Sequence, residues 1–275
     1  MSKKKSSDPT DDSESTKTTS TTTSRPTHPD DIRRRQAAAI EVLSMLLKEY
    51  DDTGYRRAFH QSFTNVPENA GYNDGLPAPQ PDFIEGLKAG EFRPFPVADH
   101  IPGAAMYKDD PNSVTLPQIA GIWKGPDGSM EEAERQSAYV GAAMVYARNQ
   151  ALAYMGKSDP PGHTAILTFT TDGTTLTLYA HYATPSEEDK GRLEYHQYPI
   201  KAINVIESYQ GYEEATRYLR NAQDYARERS YALKDQLKEY YKQQRQGGLH
   251  PSAEHEVPLL PIPDTESTMR AQEEP

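Results

Sequence analysis

The sequence predicts an α/β (α+β) domain with a central mixed β-sheet flanked by helices, placed between disordered N- and C-terminal tails. Three observations predict it: helical periodicity at both ends of the body, an Asp-Gly hairpin signal near its centre, and tails of biased composition. The predicted boundaries are residues 1–29 for the first tail, 30–245 for the α/β domain and 246–275 for the second tail.

Both tails lack the apolar residues that a core requires. Residues 1–29 are rich in Ser and Thr, and residues 246–275 are rich in Pro and acidic residues. Such segments cannot offset the conformational entropy lost on folding, which predicts disorder. Lys3–Lys5 and Arg33–Arg35 are basic runs of the kind used in nuclear import, although short basic runs are also common in solvated tails.

Composition excludes several classes of protein. The 275 residues include no cysteine, which excludes a disulfide scaffold, a cysteine nucleophile, an iron–sulfur cluster and a thiolate zinc site. No apolar run approaches the roughly 20 residues of a membrane span, so we expect no membrane association and an intracellular location, nuclear or cytoplasmic. The formal net charge of -11 means that nucleic-acid binding would need a local basic patch.

Periodicity and turn residues predict the elements of the body in order. They are a helix over about 31–50, irregular structure with short extended pieces over 64–100, strands over 104–108 and 114–124, a helix over about 130–155, a hairpin, a strand over 193–205 and a helix over about 208–244. Gly141, in the middle of the second helix, costs about 1 kcal/mol in helix propensity and favours a close approach to a sheet.

Asp172-Gly173 is the clearest local signal, because it separates two alternating runs. Asp-Gly favours a two-residue type I′ turn, in which both turn residues have positive φ. The predicted register places Thr171 opposite Thr174. It then pairs Phe169 with Leu176, Leu167 with Leu178 and Ala165 with Ala180, and the side chains of these three pairs face a core.

No P-loop, GxGxxG, HExxH, GxSxG or protein-kinase motif is present. Three other residues are candidates for a site: Lys124, which ends a mostly apolar strand, Asp82 after Pro81, and Gln136 in the first turns of the following helix. With these residues the chain resembles the PD-(D/E)XK nuclease superfamily, and in particular an uncharacterised family of fungal nuclease-like proteins. The shared stretches here read PDFIEGL, GAAMY, AGIWKG, QSAYVGAAMVYARNQAL, TTDGTTL, AHY and EYHQY.

The resemblance implies a PD-(D/E)XK-like fold and a set of site residues. In the superfamily, an aspartate and a second acid hold Mg²⁺, which polarises the phosphate and lowers the pKa of the attacking water. Carried over by position, Asp82 would be the metal-binding aspartate, Lys124 the lysine that orients the water, and Gln136 the supporting helix residue.

Ile122 departs from that pattern. An acid is expected two residues before the lysine, and isoleucine offers no oxygen to Mg²⁺. Either an acid has migrated to the helix, with Glu132 as the second metal ligand and Glu131 and Glu134 nearby, or the site is degenerate. Mg²⁺ is expected as a cofactor only in the first case. The second requires fewer assumptions, and fold alone does not fix function.

Each of these residues also has a structural interpretation. Asp82 can cap a turn, Lys124 can end a strand at solvent, and Gln136 can be a solvated helix residue. The three glutamates can stabilise the helix dipole.

Two further groups of residues stay open. His181 and His196 favour hydrogen bonds to tyrosines such as Tyr179, Tyr195 and Tyr198 over a zinc site, and together with the tyrosines they could line a pocket or a base-stacking platform. The last helix carries many cations but also acids at helical spacing, such as Asp224/Arg227 and Asp235/Lys238. That pattern favours a self-paired solvated face over a phosphate track.

The sequence therefore leads to two hypotheses. The first is a PD-(D/E)XK nuclease-like domain that is degenerate at the metal site and binds nucleic acid or protein. The alternative is an active Mg²⁺-dependent nuclease that hydrolyses phosphodiester bonds with an acid displaced to residues 131–136.

Overall fold

One six-stranded sheet organises the domain. The structure, a computed structural model, describes residues 44–246 except 69, 126, 127, 161, 190 and 191. The strands are β1 (Tyr55–Phe59), β2 (Phe83–Lys88), β3 (Val114–Trp123), β4 (Ile166–Thr171), β5 (Thr175–Pro185) and β6 (Leu193–Asn204). The helices are a 3-10 turn (Ala89–Phe92), α1 (Val97–His100), α2 (Met130–Tyr154) and α3 (Tyr209–Gln246).

The strands lie in the sheet in chain order, from β1 at one edge to β6 at the other. All neighbours are antiparallel except β3 and β4, which are parallel and are joined through α2. A parallel pair requires a crossover connection, and a helix usually supplies it. The predicted mixed sheet flanked by helices is thus confirmed.

The two long helices cover the sheet with different apolar clusters. The face of α2 that packs on the sheet carries mostly small residues and is buried throughout (Ala133, Val140, Ala143, Met144, Ala147 and Ala151). The face of α3 contributes Ala215, Leu219 and Ala226 to one cluster, and Leu233 and Leu237 to another near the 3-10 turn. Because β3 is covered on both sides, all ten of its residues are buried.

Gly141 lies at a close approach of α2 to the sheet, as its position predicted. A Cβ atom at this position would overlap the ring of His181 on β5. The glycine therefore allows the helix to pack directly on that ring.

The β4–β5 hairpin differs from the predicted register by two residues. Thr171 pairs with Leu176 and Phe169 with Leu178, so four residues rather than two form the loop. The Asp172 carboxylate explains this, because its Oδ1 accepts bonds from the backbone N–H groups of Thr174 and Thr175. A two-residue shift preserves the side-chain faces, so the predicted apolar face still packs in the core.

Asp172 gives a first prediction. Burial alone would raise the pKa of Asp172, but hydrogen bonds from Thr175 and Thr174 outweigh burial and hold the pKa below its ordinary value of 3.8. We expect Asp172→Ala to lower the free energy of unfolding by about 1–2 kcal/mol at neutral pH. A carboxylate with a lowered pKa stabilises the fold above its unfolded pKa, and that stabilisation is lost as the pH falls through the folded pKa.

Urea unfolding of wild type and Asp172→Ala at neutral pH and in steps below pH 3.8 checks this expectation. The difference between the two proteins should shrink as the solution becomes more acidic. A difference that is constant with pH would show that the charge on Asp172 plays no part.

Several other elements differ from the sequence prediction. Residues 104–108 form no strand, and only an isolated bridge joins Ala105 to Thr115. Strand β1 was not predicted, whereas β2 is one of the short extended pieces expected within 64–100. Of the helix predicted over 31–50, residues 44–46 are helical, residues 47–50 are not, and the rest lies outside the described residues. The predicted tail over 1–29, the predicted tail over 246–275 except Gln246, which ends α3, and both basic runs also lie outside the described residues.

No helix in the described part of the chain is long and apolar enough to cross a membrane.

Candidate functional site

The start of β2 and the end of β3 form the candidate site. Phe83, the first residue of β2, lies opposite Gly121 near the end of β3. The N–H of Asp82 donates to the carbonyl of Gly121 at 3.1 Å, which extends the pairing by one residue. Because the strands are antiparallel, Asp82 and Lys124 lie at the same end of the sheet.

Asp82 is held by two groups. Its Oδ2 accepts a hydrogen bond from the backbone N–H of Trp123 at 2.8 Å, and its Oδ1 lies 3.3 Å from Nδ1 of His60. Burial raises the pKa of Asp82, and the Trp123 N–H bond and the nearby charges of His60 and Lys124 only partly oppose that rise. Both carboxylate oxygens thus already have protein partners.

Lys124 lies in a second group of contacts with the first turns of α2. Its Nζ donates to Oε1 of Gln136 at 2.9 Å and lies 3.4 Å from Oε1 of Glu132. Gln136 in turn donates through Nε2 to Glu132 at 3.1 Å. Ser129 caps the helix by accepting from the N–H of Glu132. The structure therefore places Lys124, Glu132 and Gln136 in contact with one another, and Asp82 close enough to Lys124 for their charges to interact.

Ile122 and the other two glutamates do not join this group. Ile122 is 1% exposed and packs in an apolar cluster with Ile84 and Ala133. Glu131 pairs with Arg135 on the exposed face of the helix. The position where the superfamily pattern expects an acid is therefore part of the core beneath α2.

The donor set does not fit Mg²⁺ in this arrangement. Mg²⁺ requires near-octahedral oxygen ligands. Asp82 is bonded to Trp123 and His60, whereas Glu132 is bonded to Gln136 and paired with Lys124. Within residues 44–246, omitting the six gaps, no group of three or more His, Asp or Glu side chains is arranged to hold a metal ion.

His60 is the site residue that the sequence analysis missed. It follows β1, adopts the left-handed conformation with φ of 51°, and donates its N–H to the carbonyl of Asp82 at 3.2 Å. A positive φ is uncommon in a residue other than glycine, and it brings the imidazole over Asp82. No sequence signal linked His60 to Asp82, because β1 was not predicted.

The two histidines of the hairpin strands bond to threonines, not to the tyrosines that the sequence favoured. His181 Nε2 lies 2.7 Å from Thr168 Oγ1, and burial lowers the pKa of His181 to about 3, so its ring is neutral. His196 Nε2 lies 2.9 Å from Thr184 Oγ1, and its ring stacks on Tyr182. The tyrosine hydrogen bonds were therefore wrong, because each imidazole meets a threonine hydroxyl on a neighbouring strand.

The cations of α3 bind other parts of the chain. Arg227 donates to Oδ2 of Asp52, and Asp224 accepts from Lys48, so the predicted Asp224/Arg227 pair is replaced by longer-range partners. Likewise Lys238 donates to the carbonyl of Glu91, and Asp235 lies 3.4 Å from Nζ of Lys234. The contacts of Arg227, Asp224 and Lys238 hold the helix to the rest of the domain, so the expected pairs Asp224/Arg227 and Asp235/Lys238 were wrong. Asp235 still pairs within α3, with Lys234.

These observations define a class: a mixed-sheet α+β domain with an acid and a lysine at neighbouring strand ends. The chain belongs to the family described as Domain of unknown function (DUF7924), whose model matches residues 44–234. That match covers nearly all of the described domain, from just before β1 into α3. Comparisons with curated proteins and with solved structures found no match.

Proposed function

We propose that this chain is a PD-(D/E)XK nuclease-like domain that is degenerate at its metal site and that acts by binding nucleic acid or protein. One observation carries the proposal: Ile122, two residues before Lys124, is buried beneath α2. Strand β3 therefore presents no carboxylate toward Asp82.

The environment of Asp82 supports the same conclusion. A metal-binding aspartate must direct ionised oxygens at the ion, whereas burial raises the pKa of Asp82 and both of its oxygens have partners. The ordinary metal-assisted route to hydrolysis needs a bound ion to lower the pKa of water. Because the oxygens of Asp82 already have protein partners, Asp82 alone does not provide a site for that ion. Lys124 then remains as a cation near the end of the strand.

An active nuclease is the second candidate, and one contact favours it. Glu132 Oε1 lies 3.4 Å from Nζ of Lys124, and the glutamate side chain is 51% exposed. An exposed glutamate on the first turn of α2 can rotate without disturbing the core. In this alternative Glu132 would leave Lys124 and join Asp82 in holding Mg²⁺.

The deciding experiment measures cleavage of single- and double-stranded DNA and RNA with Mg²⁺ or Mn²⁺. We expect no cleavage by the wild type and no difference in Mg²⁺ binding between wild type and Asp82→Ala in calorimetry. Cleavage that is lost in Asp82→Ala, Lys124→Ala and Glu132→Gln but kept in Glu131→Gln would instead establish the active enzyme. Glu131→Gln is the matched control, because Glu131 lies on the same turn and pairs with Arg135.

A gain-of-function variant sharpens this test. Ile122→Glu restores the acid at the expected position, at the cost of burying a carboxylate in an apolar cluster. Circular dichroism must first show that the variant folds. Metal-dependent cleavage gained by Ile122→Glu would mark the wild type as a disabled nuclease.

Binding is tested by fluorescence anisotropy with the same four nucleic acids and no divalent ion. If Lys124 contacts phosphate, Lys124→Ala should weaken binding and reduce the salt slope by about 1. Lys201→Ala is the control, because Lys201 lies on β6 and pairs with Glu214. Absence of binding to all four nucleic acids would leave protein binding as the form of the proposal to pursue.

A further inference from the structure

A partly enclosed cavity of about 360 Å³ lies beside the C-terminal half of α2, between that helix, residues 157–160 and 163–166, β5 and Leu193 at the start of β6. It belongs to a different part of the molecule from the candidate site. Arg148, which lines it, follows Glu132 by 16 positions, or about 24 Å along the helix axis. A ligand in this cavity would be independent of the proposed function.

Most of the cavity wall is apolar. Val145 and Leu152 contribute from α2, Ala165 and Ile166 from the start of β4, Ala183 from β5 and Leu193 from β6. Ligand sites in proteins have volumes of about 300–1,000 Å³ and combine apolar walls with a few polar groups. This cavity lies at the small end of that range and has that composition.

Arg148 supplies the main polar group. The residue is only 9% exposed, and it donates through Nε and Nη2 to the two carboxylate oxygens of Asp159, at 2.7 and 3.0 Å. Its remaining nitrogen, Nη1, has no hydrogen-bond partner among the residues that the structure describes. An arginine has five N–H donors and no acceptor, so the Nη1 edge of the Arg148 guanidinium can donate to an oxygen atom of a ligand.

The charges around Arg148 favour a ligand that carries a single negative charge. Asp159 balances Arg148, and Lys157 adds one positive charge to the wall. His163 lines the same end, with Nε2 3.9 Å from Asp159. One net positive charge matches one negative charge, whereas the carboxylate of Asp159 disfavours a dianion.

We propose that this cavity binds a small monocarboxylate with a short unbranched apolar chain. Its carboxylate accepts from the unused edge of Arg148, with Lys157 and His163 nearby. Its chain lies along the wall formed by Leu152, Ile166 and Leu193.

The test uses hexanoate as the probe and isothermal titration calorimetry on the full chain. We expect saturable binding of hexanoate and binding of hexan-1-ol that is weaker by about tenfold or more, because the alcohol has the same chain without the charge. Ala153→Phe places a ring at the mouth of the cavity from an exposed helix position, and should raise the Kd for hexanoate by about tenfold or more.

Ala202→Phe is the matched control, since it makes the same change at an exposed alanine on β6 outside the cavity. It should leave the Kd for hexanoate unchanged. The proposal is overturned by any of three results: no saturable heat with hexanoate, equal affinity for hexan-1-ol, or equal effects of the two phenylalanine variants. In each of those cases, the Arg148–Asp159 pair serves only to fix the segment after α2.

Discussion

Replacing Glu85 with alanine is expected to lower the free energy of unfolding by about 3–5 kcal/mol. Glu85 lies on β2 with a side chain only 2% exposed. It accepts from Nε of Arg57 at 2.8 Å and from Nε2 of Gln223, on α3, at 3.0 and 3.1 Å. Removing the carboxylate leaves Nε of Arg57 without its acceptor and leaves the Arg57 and Gln223 side chains with only the Lys48 carbonyl to accept from them. The loss of these bonds in a largely buried position is the physical reason for the large effect.

Equilibrium unfolding in urea at neutral pH, followed by circular dichroism, measures the change. Glu85→Gln should lose less than Glu85→Ala, because it keeps the shape and one acceptor oxygen. Glu131→Ala is the matched control, since Glu131 belongs to an exposed pair with Arg135 and should change stability by no more than about 0.5 kcal/mol. Equal values for Glu85→Ala and Glu131→Ala would refute the structural role assigned to Glu85.

Gly141→Ala is expected to have the second large effect on the free energy of unfolding. It should lower that free energy, although helix propensity alone predicts an increase. Alanine at an interior helix position gains about 1 kcal/mol over glycine. Here the new Cβ would overlap Nδ1 of His181, which is 2% exposed and bonded to Thr168. Since the ring is buried and bonded to Thr168, relieving the overlap must shift the ring or the helix, and we expect a net loss of about 1–3 kcal/mol.

A double-mutant cycle with His181→Ala separates the clash from other effects. In the His181→Ala background, Gly141→Ala should be neutral or stabilising, which gives a coupling energy of about 1–3 kcal/mol. Gly125→Ala is the control, because no atom of the described residues, apart from the immediate chain neighbours, lies within 4 Å of the Cβ that it adds. A Gly141→Ala penalty that persists without the imidazole would show that His181 is not the obstacle.

Much of the fold could be predicted because its signals are local. The buried faces of α2 and α3 follow from spacing along single helices, and the core face of the β4–β5 hairpin follows from alternation. The register could not be predicted, because the Asp172 side chain accepts backbone bonds that the Asp-Gly rule does not include. Strand β1 showed no strand pattern in the sequence, because two of its five residues are arginines, Arg56 and Arg57. Arg57 pairs with the buried Glu85.

The candidate residues could be proposed from the sequence, but the contacts between them could not be predicted. Asp82, Lys124 and Gln136 came from a resemblance, and Glu132 came from its place on the helix near Gln136. The structure places Lys124, Glu132 and Gln136 in contact with one another, near Asp82. The bonds that occupy Asp82 come from Trp123 N–H and from His60, a backbone group and a side chain from another strand end. Such contacts depend on tertiary packing, and residue type alone does not reveal them.

The attachment of α3 to the start of the domain has a consequence for how the chain folds during synthesis. Arg227 binds Asp52 across 175 positions, and Gln223 bonds to the backbone of Lys48 across the same distance. Lys48 and Asp52 can therefore form these contacts only after nearly the whole domain has left the ribosome. Long-range closure of this kind slows folding, since the loop entropy is lost before the contacts form. A chain cut before Gln223 would keep all six strands and the first turns of α3, but Glu85 and Asp52 would lose their partners Gln223 and Arg227.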